Sequence, residues 1–304
     1  MQDPTDVFEA ERSSIRRVAY RMLGTPDDAD DVVQEVWLRW KDLDHGAIDN
    51  AAAWLTTVAT RISIDRATSA RARREVYVGP WIPEPITITD VRVDEANNDP
   101  AASVVGAESL ELGLLRILET LQPVERAVFL LHDVFGYPFA QIASTVDRSQ
   151  PATRQIAKRA RERVRAGRPR VDTEPSDVES LAEAFFLAVV DGDIDALMSL
   201  LTEDVVHISD GGAERHAARR PVLGPAKVAR LLVNLTRRDL QPDDEMHWVR
   251  VNGQVGLYIV RRGEPFLLTL IGWRDTAAAE ILAILNPRKL AHLHARWLEA
   301  RAAP

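Results

Sequence analysis

Apolar residues in the first 75 positions recur every three or four residues, a spacing that places them on one face of a helix. Two features interrupt this pattern: Gly24 followed by Thr25 and Pro26, and a polar loop over residues 43–50. Thr25 suits the N-cap of a helix, and Pro26 suits its first turn because an N–H group there would have no partner. The pattern predicts three helices that form a first helical domain over residues 1–75.

The helical pattern disappears over residues 76–108, where WIPEP at 81–85 is followed by an acidic stretch. Proline favours extended backbone and lacks an amide donor, so this segment is predicted to be a linker. Helical spacing returns over residues 109–168. It ends in a short helix, a tight turn and a longer basic helix, which is the order of a helix-turn-helix domain. A second linker is predicted at residues 169–177.

The third predicted domain covers residues 178–304. Two helical segments precede several stretches in which alternate residues are apolar, as in half-buried strands. Asn252 and Gly253 separate two of these stretches and fit a hairpin turn, and a last helix follows Pro287. This order indicates an α+β domain with a curved antiparallel sheet. The predicted fold class is therefore multidomain, with two all-α domains, the second a helix-turn-helix domain, before the α+β domain.

Composition excludes several classes of function. With 304 residues and 46% hydrophobic content, the chain can bury several cores. It contains no cysteine, which excludes disulfide scaffolds, thiol nucleophiles and cysteine-ligated metal sites. Because it has no run of eighteen apolar residues and no signal-peptide pattern at its start, we expect no membrane partner and a cytoplasmic location.

The formal net charge of −8 argues weakly against nucleic acid as a partner, but the charges are unevenly distributed. Residues 61–74 contain five arginines and one aspartate, and residues 148–170 contain nine basic residues and one glutamate. Such basic segments can bind phosphate groups whatever the total charge. They also fit ordinary solvent-exposed helix ends, so charge alone does not identify the partner.

Three segments resemble the extracytoplasmic-function (group IV) sigma factors. DADDVVQEVWLRWK (28–41) and WLTTVATRISIDRATSARARRE (54–75) are similar to region 2 of that family. The helix-turn-helix at 123–166 is similar to its region 4. Their order and spacing match the family, although each motif by itself is weak.

The third domain resembles the SnoaL-like domains of the NTF2-like superfamily, which one branch of these sigma factors carries as a fused cone. That branch has three short signatures, which correspond to WIPEP (81–85), the Asp-Gly-Gly at 210–212 and NPRKL (286–290). Ala213 and Glu214 depart from the usual end of the second signature. The resemblance therefore covers nearly the whole chain.

The resemblance implies an alternative sigma factor that binds core RNA polymerase and directs promoter-specific transcription initiation, tuned in cis by the SnoaL-like domain. The implied partners are the β′ clamp helices and the β flap of core RNA polymerase, together with promoter DNA. We expect no catalytic residue, no cofactor and no metal site. An unknown small-molecule ligand of the third domain stays open.

The resemblance also assigns site residues. The residues expected to contact core polymerase are Asp31, Gln34, Glu35 and Arg39. Those expected at the −10 element are His45, Asp49, Asn50, Arg61, Arg66 and Arg73. Those expected at the −35 element are Arg154, Gln155, Lys158 and Arg161. The interdomain regulatory residues, expected near one interface, are Trp81, Pro83, Pro85, Asp210, Gly211, Gly212, Asn286, Pro287 and Leu290.

Two other functions stay open from the sequence. One is a ligand-responsive helix-turn-helix regulator that acts without polymerase, and the other is a SnoaL-type enzyme domain fused to a DNA-binding module. His207, Asp210 and His216 lie close in sequence and are the candidate acid–base groups, although no reaction is indicated. The aromatic residues that would line a ligand cavity, or otherwise fill the core, are Trp248, Tyr258, Phe266 and Trp273.

Overall fold

A computed structural model describes residues 3–45, 48–75, 77–86, 88–90, 112–167 and 178–302, without the side chains of 71–75 and 88–90. The chain divides into two compact units. The first comprises Met1–Val76 and Leu115–Gly167, and the second comprises Tyr77–Leu114 and Arg168–Pro304. The first unit thus holds nearly all of both helical segments, and the second holds the α+β segment together with residues 77–86 and 88–90 of the stretch expected to be a linker.

The first helical segment (residues 3–75) contains three helices, α1 (Pro4–Leu23), α2 (Pro26–Lys41) and α3 (Ala51–Glu75). Gly24 ends α1 with φ 77°, a left-handed conformation that favours glycine. The Thr25 hydroxyl caps α2 by accepting a hydrogen bond from the Asp28 amide. The apolar faces of the three helices meet in a core that includes Trp40, which is 2% exposed.

The second helical segment (residues 112–167) contains a helix-turn-helix. Its helices are α4 (Leu112–Leu118), α5 (Pro123–Phe129), α6 (Phe139–Thr145) and α7 (Gln150–Gly167), and a π-helical turn, Leu130–Val134, follows α5. Asp147, with φ 53°, allows the tight turn between α6 and α7. Ala157, Ala160 and Val164 bury one side of α7. The predicted helix-turn-helix is therefore present.

The two helical segments share one core within the first unit. Arg126 of α5 is 3% exposed, and its guanidinium donates hydrogen bonds to the carbonyl oxygens of Met22 (2.6 Å) and Leu118 (2.9 Å). In addition, α3 packs against α5 and α6. A buried arginine needs such partners because its charge cannot be left without hydrogen bonds in an apolar environment. The segments are thus joined by polar as well as apolar contacts.

The second unit is an α+β domain, as the sequence pattern predicted. Its helices are α8 (Val178–Asp191), α9 (Ile194–Ser199), α10 (Pro225–Asp239) and α11 (Pro287–Ala302). Its strands are β1 (Ile88–Asp90), β2 (Leu201–Asp210), β3 (Val222–Leu223), β4 (Asp244–Val251), β5 (Gln254–Arg261), β6 (Glu264–Arg274) and β7 (Ala277–Ile284). They form one sheet in the order β1-β4-β5-β6-β7-β2-β3.

The sheet is mixed, whereas the sequence pattern predicted a curved antiparallel sheet. Strands β4 to β7 are antiparallel neighbours, but β2 runs parallel to β7, with Ser209 opposite Ala283. A parallel pair requires a long crossover connection, and residues 211–276 between the two strands provide one. Alternation of apolar residues shows which face of a strand is buried and says nothing about the direction of its neighbour.

The stretch predicted as a linker over 76–108 contains an edge strand. β1 pairs antiparallel with β4, with Ile88 opposite Val251. The preceding residues 77–86 also belong to the second unit. Part of the expected linker is therefore bound to the α+β domain, because the edge of β4 offers backbone hydrogen-bonding groups to an extended chain.

Each face of the sheet is covered by helices. On one face, Phe185 of α8 and Val228 of α10 join Trp273 of β6 in the apolar core. On the other face, Trp297 of α11 packs edge-on against Tyr258 of β5, with ring centroids 5.6 Å apart. The two faces thus have separate interiors, on opposite sides of the same strands.

Among the residues that the structure describes, no helix is long and apolar enough to cross a membrane.

Candidate functional site

The residues expected to contact polymerase lie along the outer side of α2. Asp31, Gln34 and Arg39 are exposed, and Glu35 is half-buried. Val32, Val33, Val36 and Trp40 are buried on the opposite side. This division follows from the helical period, and it leaves an acidic and polar surface on the outside of α2.

Arg66 of α3 is bonded to this surface. Its guanidinium donates to Asp31 Oδ2 (2.9 Å) and to Glu35 Oε2 (3.2 Å), and Arg39 donates to the other Glu35 oxygen at 2.8 Å. Arg66 was expected at the −10 element. In this structure its charge is instead paired with two of the residues expected to contact polymerase.

The loop expected to meet the −10 element is only partly described, since residues 46 and 47 lie outside the described residues. His45 packs edge-on against Trp40, with ring centroids 4.4 Å apart, and its buried Nε2 has no hydrogen-bond partner among the described residues. Asp49 is exposed. Asn50 caps α3 through its Oδ1, which accepts from the Ala53 amide at 2.9 Å.

Arg61 of α3 contacts the second helical segment. Its guanidinium donates to the carbonyl oxygens of Ser144 and Thr145 at the end of α6, both at 2.9 Å. Two neighbouring hydroxyl pairs, Thr56 with Tyr137 and Thr57 with Thr145, lie 3.1 Å apart. Arg61 therefore satisfies carbonyl groups that the end of a helix leaves without partners. The side chain of Arg73, also expected at the −10 element, lies outside the described part of the chain.

The residues expected at the −35 element lie on α7. Arg154, Gln155 and Lys158 are exposed on one side of the helix, and the Arg154 guanidinium lies 5.6 Å from the ring centre of Phe139. Arg161 differs, because its Nε donates to Asp133 Oδ1 at 2.6 Å. Three of the four residues thus present an outward basic and polar surface, and Arg161 is occupied within the unit.

A buried polar cluster in the second unit is centred on Asp210, which is 0% exposed. Its carboxylate accepts hydrogen bonds from the Tyr77 hydroxyl (2.5 Å), the Ile82 amide (2.9 Å), the Gly212 amide (3.1 Å) and Lys289 Nζ (2.7 Å). Four donors on one carboxylate offset the cost of burying its charge. The cluster therefore joins residues 77–82 to the end of β2 and the start of α11.

Asn286, directly before α11, and Lys289, in its first turn, complete this cluster. Asn286 Nδ2 donates to the Tyr77 hydroxyl at 2.8 Å, and Lys289 Nζ also donates to the Ile82 carbonyl. Lys289 Nζ lies 4.1 Å from the ring centre of Trp81, a distance that allows a cation–π interaction. We call Tyr77, Ile82, Asp210, Asn286 and Lys289 the linker clasp. Burial and the adjacent Asp210 charge raise the pKa of the Tyr77 hydroxyl, which keeps it a donor.

The remaining residues expected near one interface lie beside the linker clasp. Gly212 has φ 60°, and a Cβ at this position would lie 2.7 Å from Asn286 Nδ2. A Cβ on Gly211 would lie 2.3 Å from the Arg215 carbonyl oxygen. The others are the half-buried Trp81, the buried Pro83, Pro85 and Leu290, and Pro287 in the first turn of α11. The structure thus brings the three short signatures together.

Sequence reasoning missed three members of the linker clasp. Lys289 lies within NPRKL, and its place inside a signature expected at the interface could have indicated it. Tyr77 and Ile82 had no signal, because a hydroxyl and a backbone amide become functional only through the position of Asp210. Asn252, whose Oδ1 accepts from the Ile86 amide at 3.0 Å, extends the same binding of the linker stretch.

The three candidate acid–base residues do not converge. Asp210 faces the linker clasp, whereas His207 and His216 border a cavity on the opposite face of the sheet. Of the four aromatic residues proposed for a ligand cavity, Phe266 borders that cavity. Trp248 packs against Phe186, and Trp273 packs against Phe185. Tyr258 is bonded to His294 on the other face at 2.8 Å. The second unit therefore contains two separate features on opposite faces of its sheet, the linker clasp and the cavity.

Comparison with known proteins assigns the two helical segments to families. The Sigma-70 region 2 family matches residues 7–73, and the Sigma-70, region 4 family matches residues 112–164. The ECF RNA polymerase sigma factor SigJ of Mycobacterium tuberculosis is 37% identical over 293 residues, which cover 93% of this chain and 91% of that protein. The probable ECF RNA polymerase sigma factor SigI of the same organism is 34% identical over 206 residues, 67% of this chain and 69% of that protein.

A solved structure resembles the whole chain. The crystal structure of M. tuberculosis extracytoplasmic function sigma factor SigJ covers 95% of this chain and 98% of its own, with a TM-score of 0.73 and 34% sequence identity. The likeness includes the α+β unit as well as the helical segments.

Proposed function

Because the chain belongs to the extracytoplasmic-function (ECF) RNA polymerase sigma factors, we propose that its α+β unit regulates transcription initiation through the linker clasp. As an alternative sigma factor, the chain acts with core RNA polymerase and promoter DNA, and it is not an enzyme. Its proposed location is the cytoplasm. A regulator that acts without polymerase would have no use for the region 2 match over residues 7–73.

The proposed core-polymerase contacts are those on the outer side of α2. Asp31, Gln34, Glu35 and Arg39 lie there together, and Leu38 between them is 47% exposed. An exposed leucine among acidic and polar side chains suits a protein interface, where apolar contact adds to charge complementarity. The β′ clamp helices are the proposed partner of this surface, and the β flap is the proposed partner of the second helical segment.

The first unit is proposed to open when it binds a promoter. The −10 and −35 elements are about 25 base pairs apart, which is about 85 Å of B-form DNA at 3.4 Å per base pair. In the first unit the two helical segments are in direct contact through Arg61, Ser144 and Thr145. They cannot occupy both elements at that separation until this contact breaks, so the contact favours a closed, inactive form.

Opening also requires a long enough connection between the helical segments, and the linker clasp holds part of that connection. Residues 77–90 run along the second unit, held by Asp210 and by pairing of β1 with β4. Released and fully extended, these residues would add about 45–50 Å to the tether at roughly 3.4 Å per residue. The clasp is therefore proposed to restrain promoter engagement by shortening the usable linker.

The observation that carries this proposal is the Asp210 carboxylate, buried in the α+β unit and bonded to linker residues. In vitro transcription with purified core polymerase tests it. The full chain should support promoter-specific initiation, and Tyr77→Phe, which removes a bond to Asp210 and so weakens the restraint on the linker, should raise the initiation rate. Tyr258→Phe is the matched control, because it removes a buried hydroxyl of the same unit that is bonded to His294 and not to the linker. No promoter-specific transcript from the wild-type chain would contradict the sigma function, whereas unchanged rates for Tyr77→Phe and Asp210→Asn would contradict only the regulatory role.

A further inference from the structure

An internal cavity lies in the α+β unit between the sheet and the helices α8 and α10. Its volume is about 320 Å³, within the range of small-molecule sites, roughly 300–1,000 Å³. Its lining is mainly leucine, isoleucine, valine and phenylalanine. It reaches solvent, because Met246 and Val190 on its border are 50% and 47% exposed. The cavity is thus open to a ligand from outside.

Strand register determines the floor of the cavity. Ser209 of β2 lies opposite Ala283 of β7, and Ala283 lies opposite Thr269 of β6. The small Ala283 side chain leaves space between two hydroxyl groups, and all three residues line the cavity. Ser209 Oγ accepts a hydrogen bond from the Ala218 amide at 2.9 Å, so its own proton is available to another acceptor. The floor therefore combines free space with two hydroxyl groups.

His207 is less exposed than the two hydroxyl residues of the cavity floor. It lies two residues before Ser209 on the same face of β2 and is 1% exposed. Its Nδ1 is buried and has no hydrogen-bond partner among the described residues. A buried ring nitrogen without a partner is unfavourable, and a ligand group that bonds to it would remove this cost.

The charge of the cavity limits the class of ligand. Burial lowers the pKa of His207 to about 4, so its ring is neutral near neutral pH. At the border, Arg238 is paired with Asp239 through two hydrogen bonds of 2.7 Å. His207, Arg238 and Asp239 therefore offer a ligand in the cavity no unpaired charge, which favours an uncharged ligand.

We propose that this cavity binds a small, uncharged, mainly apolar molecule whose hydroxyl or carbonyl group bonds to His207, Ser209 and Thr269. The apolar walls supply most of the affinity through burial of apolar surface. The three polar side chains provide orientation, since an apolar molecule of the same shape leaves His207 Nδ1 without a partner.

The same strands connect the cavity to the linker clasp. Ser209 lines the cavity and the next residue of β2, Asp210, binds the linker. Successive residues of a strand point to opposite faces, so a shift of the end of β2 moves both sites together. Just beyond the end of β7, Leu285 lines the cavity and Asn286 belongs to the clasp, and the amides of both donate to the Asp210 carbonyl. A bound ligand should therefore change the stability of the clasp. This coupling rests on the proposed regulatory function, whereas the cavity itself does not.

Binding of 2-naphthol and of naphthalene to the full chain, measured by calorimetry, tests the site. We expect one saturable site that prefers 2-naphthol by about fivefold or more, because its hydroxyl finds a partner. Ala283→Leu should weaken both compounds about tenfold or more by filling the floor. Thr269→Val should weaken only 2-naphthol. Leu187→Ala, on the exposed side of α8 and outside the lining, is the control and should change neither.

Several results would overturn the site. They are the absence of saturable binding of both compounds, binding that Ala283→Leu leaves unchanged, and tighter binding of naphthalene-2-carboxylate than of 2-naphthol. Leu235→Trp, which fills the cavity from α10, replaces Ala283→Leu if thermal unfolding shows that the latter does not fold. Hydrogen exchange of the Ile82 amide, which donates to Asp210, tests the coupling. Exchange unchanged by saturating 2-naphthol would overturn the coupling and leave the site intact.

Discussion

Lys289 donates to Asp210 at 2.7 Å in surroundings where the two side chains are only 4% and 0% exposed. The Asp210 carboxylate also accepts hydrogen bonds from the Tyr77 hydroxyl and the Ile82 amide of the linker stretch. The ion pair therefore holds the carboxylate to which the linker binds. Removing one member of a buried pair leaves the other charge without compensation.

Asp210→Asn and Lys289→Met should each destabilise the second unit by about 3–5 kcal/mol. Urea unfolding followed by tryptophan fluorescence measures this. Asp204→Asn is the control, because Asp204 pairs with Arg274 but is 63% exposed; it should cost at most about 1 kcal/mol. Equal losses at the buried and exposed pairs would contradict the central place of Asp210.

Gly212→Ala should destabilise the chain more than Gly263→Ala. Both glycines have positive φ, 60° and 78°, so both substitutions introduce backbone strain. A Cβ at 212 would also lie 2.7 Å from Asn286 Nδ2, whereas nothing lies within 4 Å of a Cβ at 263. The expected difference is about 1–3 kcal/mol, in the range of overpacking. Comparison of urea midpoints tests it, and identical midpoints would show that Asn286 can move aside.

The stability of the second unit should fall as the pH falls from about 6.5, the ordinary histidine pKa, to about 4, the pKa of buried His207. In this window the unfolded chain binds a proton at His207 and the folded chain does not, so acid favours unfolding. The loss should be of the order of 3 kcal/mol. His207→Gln should remove this share of the pH dependence, and exposed His216→Gln should keep it. Equal pH profiles for wild type and His207→Gln would contradict a neutral buried His207.

Arg61→Ala should favour the open form of the first unit, because it removes two hydrogen bonds from α3 to α6. The chain contains no cysteine, so Ser69→Cys and Glu162→Cys provide two unique labelling positions, one in each helical segment. Their distance distribution, measured by pulsed electron spin resonance, should broaden to longer distances in Arg61→Ala. Binding to core polymerase and promoter should lengthen it by on the order of tens of Å.

Two controls accompany the Arg61 experiment. Arg66→Ala should leave the distance unchanged, since the Arg66 guanidinium donates to Asp31 and Glu35, which both lie in the first helical segment. Labels at Ala10→Cys and Ser69→Cys, both in that segment, should show one distance in all states. A distance between the two segments that polymerase and promoter do not change would contradict the opening step.

Arg154→Ala and Lys158→Ala should each weaken promoter-dependent transcription, by an affinity loss of about 1–3 kcal/mol if the side chain contacts a base edge. Arg163→Ala is the matched control: it removes the same charge from the same helix, but its guanidinium is paired with Glu125. Polymerase–promoter affinity at several salt concentrations separates phosphate contacts, which reduce the salt dependence, from base contacts. Equal losses for Arg154→Ala and Arg163→Ala would contradict the proposed DNA-facing side of α7.

Local patterns in the sequence were enough to predict the class of most elements, with the edge strand β1 in the expected linker as an exception. The helical spacing of apolar residues around Trp40 and the Thr25 cap depend on near neighbours in the chain, and both are found as predicted. The family assignment is confirmed as well. Three short signatures were expected together, but Tyr77 was not expected with them, because its hydroxyl has no local feature that distinguishes it.

The sequence by itself determined the helices, the longer strands β2 and β4 to β7, the helix-turn-helix and the two basic segments, since all of these depend on periodicity and charge within a few residues. Only the tertiary structure decided that Arg61 is bonded to α6, that Arg66 is paired with Asp31 and Glu35, and that His207 and Asp210 face opposite sides of one strand. The tertiary structure also decided that β2 runs parallel to β7. Long-range hydrogen bonds and the free energy of burial select these partners from residues far apart in the chain, and no local pattern records that choice.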